Sequence, residues 1–195
     1  IASAQFFVNG INTHTAGFDF VAQYSLLRVG KGKMNLNLAA NLVTDNRIIG
    51  KTLDPAPIAN SGATISDALI KSIIENSRPR YKVVAGASYR INKMSYHVNN
   101  TLFGSTAYQD INNGGLIMEH VHQIFSPAMT TDLHVARQIR KNMQLSFTVN
   151  NIFNVLPKWK LEALDGVGET YLADPLRKQL LEGGLTFNGR YRILG

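Results

Sequence analysis

Apolar and polar residues alternate along most of this chain. In the stretch from Met143 to Asn154, Met143, Leu145, Phe147, Val149 and Phe153 stand at odd positions with Gln144, Ser146, Thr148 and Asn150 between them. That is the period of two of a β-strand, whose successive side chains point to opposite faces. Phe18, Phe20, Ala22, Tyr24 and Leu26 likewise alternate with Asp19, Val21, Gln23, Ser25 and Leu27, and Met34, Leu36, Leu38, Ala40 and Leu42 alternate with Asn35, Asn37, Ala39 and Asn41. Similar patterns recur around Tyr81–Tyr89, Tyr96–Leu102, Met129–Ile139 and Leu185–Ile193. Together they predict seven strands, roughly 5–28, 33–50, 79–91, 94–108, 128–139, 143–154 and 185–195.

The connections alternate too. Short turns are expected at Gly30-Lys31-Gly32, at Asn92-Lys93 and at Arg140-Lys141-Asn142, and long connections at 51–77, 109–127 (with Gly114-Gly115) and 155–184. Two helix signals interrupt the long ones. Ser66 is a fitting N-cap with Asp67 in the first turn and Ile65, Leu69, Ile70, Ile73 and Ile74 at helical spacing. Asp174 as cap, Pro175 at the first helical position, Leu176, Leu180 and Leu181 as apolar face and Gly183 as stop make the second. In an antiparallel up-and-down meander this order puts all short turns at one end and all long loops at the other, as in outer-membrane barrels.

The polar face fits that solvent arrangement. Asn35, Asn37 and Asn41 would need partners in a dry core, whereas a wet lumen satisfies them. The expectation is an all-β chain, an antiparallel up-and-down transmembrane β-barrel segment of about seven strands, with short periplasmic turns and long extracellular loops carrying short helices. Seven strands and two unpaired flanking strands suit a contiguous part of a larger barrel.

Composition narrows the alternatives. With 45% hydrophobic and 17% charged residues the 195-residue chain should be ordered. No run of about 18 apolar residues encodes a membrane helix, a test that barrel strands escape. The absence of cysteine excludes disulfides, thiolate-zinc sites and cysteine nucleophiles. The chain opens Ile1-Ala2-Ser3 with no visible signal peptide. A net charge of +7 invites a nucleic-acid reading, but the cations are spread in twos and threes with no basic helix or RNA-binding motif, so no nucleic-acid partner is expected.

At Asn150-Asn151-Ile152-Phe153-Asn154, followed by Pro157, the sequence resembles the C-terminal barrel of TonB-dependent outer-membrane receptors, whose penultimate strand ends in an Asn-Leu/Ile-Phe-Asn run with a proline shortly after. Gly189-Arg190-Tyr191 and Leu194-Gly195 are similar to the start of that family's last strand. Asn9 with Gly17-Phe18-Asp19 resembles a strand opening, and Pro79-Arg80-Tyr81-Lys82 with Leu102-Phe103-Gly104 a common hairpin. The resemblance implies that residues 1–195 are the C-terminal portion of such a barrel, without the plug and earlier strands. It further implies a receptor in the bacterial outer membrane for energised uptake of a scarce substrate (siderophore, haem, cobalamin or glycan), reaching the TonB system through the plug and embedded in a lipid bilayer. Neither enzyme activity nor a cofactor is expected of it. A passive porin or adhesin-like structural barrel is the alternative, and a soluble β-barrel binding protein a third.

Candidate sites are few. Glu119, His120 and His122 form a weak metal-ligand set, with solvated loop histidines the plainer reading. Asp132 and His134 share a face two residues apart, without an evident nucleophile. Arg78 and Arg80 near an outer rim, and Trp159 in a loop, are candidate substrate contacts, steering an anion or stacking on a ring; for Trp159 loop anchoring is the plainer role. Lys82, Arg90, Arg190 and Arg192 are expected on the lumen face, where pairing with plug carboxylates is the plainer role.

Overall fold

The computed structural model describes residues 10–50, 54–60, 62, 64–109 and 119–182. It is mostly antiparallel β-sheet. Strands β1 (Asn12–Val29), β2 (Gly32–Ile49), β3 (Tyr81–Ile91), β4 (Met94–Phe103), β7 (Ala128–Arg140) and β8 (Met143–Val149) form an open six-stranded sheet in the order β1-β2-β3-β4-β7-β8. A second sheet joins β5 (Thr106–Tyr108), β6 (Val121–Phe125) and β9 (Trp159–Ala163) in the order β5-β6-β9. Among the described residues no helix is long and apolar enough to cross a membrane.

The three short turns fall where the pattern puts them, two of them on residues with left-handed backbone. Gly30 and Asn92 have φ of 57° and 50°, the left-handed conformation tight hairpins require. Gly32 lets the Tyr89 ring lie on the backbone, since a Cβ there would stand 2.5 Å from the ring, and the Tyr89 hydroxyl donates to Val29 O at 3.0 Å. The registers place Phe18 opposite Leu42, Met34 opposite Tyr89, Tyr89 opposite Tyr96 and Val135 opposite Phe147. Bulges between Tyr24 and Leu27 and between Gln138 and Arg140 shift the count from the turns by one, so that Leu27, expected among the polar positions, stands opposite Met34 on the apolar face.

One face of the large sheet is therefore apolar and open. Phe18 is 70%, Tyr24 61%, Leu145 69% and Phe147 64% exposed. The opposite face carries the histidines and most of the amides and hydroxyls; Asn100 and Thr131, the hydroxyl donating to the amide oxygen at 2.7 Å, stand among the apolar residues. β1 and β2 have 18 residues each, about 60 Å at about 3.3 Å per residue. Their apolar part, from Phe18 to Leu27, covers about 10 residues, the length a tilted strand needs to cross a bilayer core. The remainder is polar, with Asp45 between His14 (3.7 Å) and Arg47 (3.2 Å) and Thr15 donating to Asn46 at 2.8 Å.

Several expected boundaries are corrected. The strand expected over 94–108 ends at Phe103: the Gly104 amide still donates to Tyr81 O at 2.8 Å, but the chain then leaves for the second sheet as β5. Connection 109–127 contains β6, and connection 155–184 contains β9, α3 (Gly166–Ala173) and α4 over 175–182. The strand expected over 143–154 stops at Val149, because Asn151 and Asn154 turn left-handed with φ of 50° and 49°. In the first long connection, α1 (Ala56–Ala59) precedes α2 (Ala68–Glu75). The cap of α2 is Asp67, not Ser66: its backbone is extended and its Oδ1 accepts the Ile70 amide at 2.8 Å. Asp174 caps α4 as expected, accepting the Leu176 amide at 2.9 Å. The strand expected over 185–195 and the Gly183 stop lie outside the described residues, as do Gly114-Gly115 and Asn9.

Buried apolar residues gather in the second sheet. Val121 (0% exposed), Leu161 and Leu181 form a core against which Trp159, Tyr171 and Leu172 pack.

Candidate functional site

The polar face of the six-stranded sheet is the larger of two polar assemblies. One cross-strand row reads Asn35, Ser88, His97, His134, Thr148, and the next Asn37, Gly86, Asn99, Asp132. Side chains on this face pair within, between and beyond these rows. His97 Nε2 lies 2.9 Å from Asn99 Nδ2, His134 Nδ1 lies 2.7 Å from Thr148 Oγ1, and Asn41 donates to Asp19 at 2.8 Å. Gly86 makes the middle of the assembly possible: a Cβ would stand 2.4 Å from Oδ1 of both Asn37 and Asn99, so only glycine lets the two amides close over β3. Lys82 and Arg90 lie on this face, as the alternation predicts, and Lys82 Nζ sits 5.3 Å from the Phe103 ring centroid. Away from the turn end, where Arg28, Lys33 and Arg90 stand together, such a surface offers mainly neutral donors and acceptors, which suits hydrated, hydroxyl-rich or amide-bearing solutes.

The Asp132 and His134 pair gains a hydroxyl but no relay. Thr148 contacts His134, while Asp132 Oδ1 accepts the backbone amide of Asn151 at 2.8 Å. Asp132 thus fastens the end of β8 to β7. The Asn-Ile-Phe-Asn run completes that fastening: Asn151 Nδ2 donates to Val155 O at 3.0 Å, its Oδ1 accepts the Val155 amide at 2.9 Å, and the Ile152 amide donates to Thr131 O at 2.8 Å. One side-chain amide replaces a rung of ladder across a turn. Asn150, Phe153 (73% exposed) and Pro157 flank it at the surface.

The second assembly is built by the long connections. β6 and β9 pair, and α3 packs on β9. Asp165 joins these pieces with one carboxylate: Oδ1 accepts the amides of Val167 and Gly168, each at 3.0 Å, and Oδ2 lies 2.6 Å from His120 Nδ1. The Gly168 amide and the His120 contact hold its carboxyl below the usual aspartate range. His122 sits opposite Glu162, and burial pushes its imidazole below the ordinary histidine value although Glu162 pulls the other way.

The metal-ligand set predicted at Glu119, His120 and His122 is divided by this arrangement. His120 turns to Asp165, His122 faces Glu162, and Glu119 is exposed; among the described residues no three acidic or histidine side chains are grouped to hold an ion. Arg78 and Arg80 are exposed at the start of β3, with Arg80 donating to Glu75 O at 3.4 Å. Trp159 is half-buried against the Val121 core, an anchor for the loop sheet. Gly189, Arg190, Tyr191 and Arg192 lie outside the described residues.

Sequence reasoning passed over His97, Asn99, Thr148 and Asp165. His97 and Asn99 were accessible by counting pairs outward from the Asn92-Lys93 turn, but Thr148 was not, because a bulge between Gln138 and Arg140 shifts β8 by one residue against that count. The contact of His120 with Asp165, 45 positions apart, leaves no local trace. Comparison with family models, with curated proteins and with solved structures finds no match.

Proposed function

We propose that this chain forms part of the wall of an outer-membrane β-barrel and serves a receptor of the TonB-dependent class, which takes up a scarce substrate (a siderophore, haem, cobalamin or glycan) by an energised route without covalent chemistry. One observation carries the wall reading: a six-stranded antiparallel meander whose exposed face is apolar, whose other face is an amide and hydroxyl network, and whose short turns all lie at one end. In water such an apolar face is a liability; in lipid it is the surface a barrel needs. The receptor class is supported by the Asn150–Asn154 run with Pro157, which makes a defined turn.

Within that reading the second sheet and its helices belong to the outer side and the polar face to the lumen, where it would contact plug or solute. The test is fractionation of cells producing the native protein, followed by uptake. Recovery with the outer membrane, with a gel mobility that changes on heating, supports the wall; recovery in the soluble fraction sinks it. Uptake that stops when TonB is removed supports the receptor. Solute passage indifferent to TonB would instead assign the wall to a passive porin, and no passage at all to an adhesin-like barrel.

A further inference from the structure

Charge is distributed very unevenly along the strands. The three short turns with their flanking strand ends, residues 24–34, 87–97 and 134–147, contain Arg28, Lys31, Lys33, Arg90, Lys93, Arg137, Arg140 and Lys141 and not one Asp or Glu. The antiparallel order brings all three segments to one end of the sheet. Of the 20 Lys and Arg, these eight leave twelve against the chain's 13 Asp and Glu, so the net charge of +7 is in effect the charge of this rim.

The eight are exposed, and none has an ion pair among the described residues. Arg28, Lys33 and Arg90 are moreover direct neighbours across three strands on the polar face. Like charges placed opposite each other destabilise a sheet. The ion pairs elsewhere, such as Asp45 with Arg47 and Asp174 with Arg177, lie towards the far end or in the loops.

A second feature marks where the rim sits. The apolar row just inside it reads Leu27, Met34, Tyr89, Tyr96, Val135, Phe147, and the next rung on the same face brings in Arg137 opposite Met94. Apolar side chains, then tyrosines, then long cations is the order of a membrane interface, in which rings take the headgroup level and Lys and Arg reach past them to phosphate. Between the strand ends, on the polar face, an open cleft of about 400 Å³ is lined by Arg90, Asn92, Lys93, Met94, Ser95, Gln138 and Gln144.

We infer that the turn end of the sheet is a binding rim for anionic phospholipid headgroups, which neutralise the crowded cations and fix the depth and orientation of the wall. The inference rests on the wall reading above. Each cation near an anionic membrane surface strengthens attachment severalfold, so three removed together weaken it by roughly a hundredfold, and salt weakens it too as the screening length shrinks from about 10 Å at 0.1 M to about 3 Å at 1 M.

The experiment is lipid titration by co-flotation of the full chain with vesicles of phosphatidylcholine alone, or of equal parts phosphatidylcholine and phosphatidylglycerol. It is repeated for the triple variant Lys31→Gln, Lys93→Gln, Lys141→Gln, whose side chains stand in turns, and for a control of equal charge, Lys71→Gln, Lys158→Gln, Lys160→Gln. The expected result is tighter, salt-sensitive attachment to the anionic vesicles, reduced roughly a hundredfold in the turn variant and little in the control. Equal attachment to both vesicles overturns the rim assignment and leaves the wall standing. Equal losses in both variants overturn the location. Attachment to neither vesicle overturns the wall reading itself. Preference of the protein for soluble polyglutamate over the anionic vesicles reassigns the rim to an acidic protein partner and overturns the lipid.

Discussion

The two sheets of this protein are written in the same alternating code and use it in opposite ways. In the loop sheet the apolar side chains are hidden: Val121 is 0% and Leu161 9% exposed, covered by α3, α4 and Trp159. In the six-stranded sheet Phe18, Leu145 and Phe147 are at least 64% exposed with nothing packed over them among the described residues. Alternation therefore specifies a two-faced strand without specifying the medium that the apolar face meets. The covering differs as well: α3 and α4 lie on the small sheet, while α2 touches the large one at the far end of β2, where the Ile48 amide donates to Glu75 at 2.8 Å.

The sharpest way to break the contrast is to charge both apolar faces. Val121→Asp buries an unpaired carboxylate and should cost the loop sheet more than about 4 kcal/mol. Hydrogen exchange would then reach the unprotected rate over 121–125 and 159–163 while β2, β3 and β4 stay protected. Loss of protection in both sheets together would show that they are one cooperative unit. Ala22→Arg, on the exposed middle rung opposite Leu38, is the companion. It should cost about 2–4 kcal/mol in a bilayer but within about 0.5 kcal/mol in water, so a large penalty in detergent-free solution would mean that the face is covered by protein.

The polar face answers to a smaller perturbation. Gly86→Ala pushes a methyl group between Asn37 and Asn99, and the amides must part at a cost of about 1–3 kcal/mol. Denaturant titration that finds no loss would mean that the two amides do not close over β3. Asn151→Ala removes both bonds to Val155 and places alanine at φ 50°, which should cost about 1–2 kcal/mol. Asn151→Gly restores only the backbone freedom and should recover part of it. Equal losses in the two variants would assign the turn's stability wholly to the side-chain amide.

How far these features could be read beforehand depended on whether neighbours in sequence or in space set them. The hairpins β1-β2, β3-β4 and β7-β8 were legible because a period of two and a two-residue turn are local, but only β3-β4 keeps the register of its turn throughout; bulges shift the other two by one residue without a local signal. β6 was not, since its buried side chains are Val121, Gln123 and Phe125: a glutamine on the covered face cancels the alternation on which the reading relies. β9 does alternate, Trp159, Leu161 and Ala163 against Lys160 and Glu162, but five residues in a long connection are a weak signal. The premature end of β8 lay in Asn151 and Asn154, residues that tolerate left-handed backbone without requiring it. At α2, Ser66 and Asp67 are both fitting caps, and only the backbone path selects the aspartate.

Acid offers the gentlest separation of the two regions. In the loop sheet the ionised Asp165 accepts the Gly168 and Val167 amides and meets His120, so its folded-state titration lies below that of the unfolded chain. Its contribution is accordingly complete above the ordinary aspartate value, about pH 4, and is lost as the pH falls through the lower folded value. The group is solvent-exposed, so the effect is small and local. β3 and β4 contain no Asp or Glu and should not respond. Amide exchange or chemical shifts of Val167 and Gly168, followed from about pH 5 to about pH 2, should report loosening of the α3 cap while β3 and β4 stay unchanged. Asp165→Asn keeps an oxygen for the cap but cannot ionise, and should start slightly looser and show no further change with acid. An α3 that loosens equally in that variant would place the acid sensitivity elsewhere in the loop sheet, with His122 and Glu162 across β6 and β9 as the next pair to test.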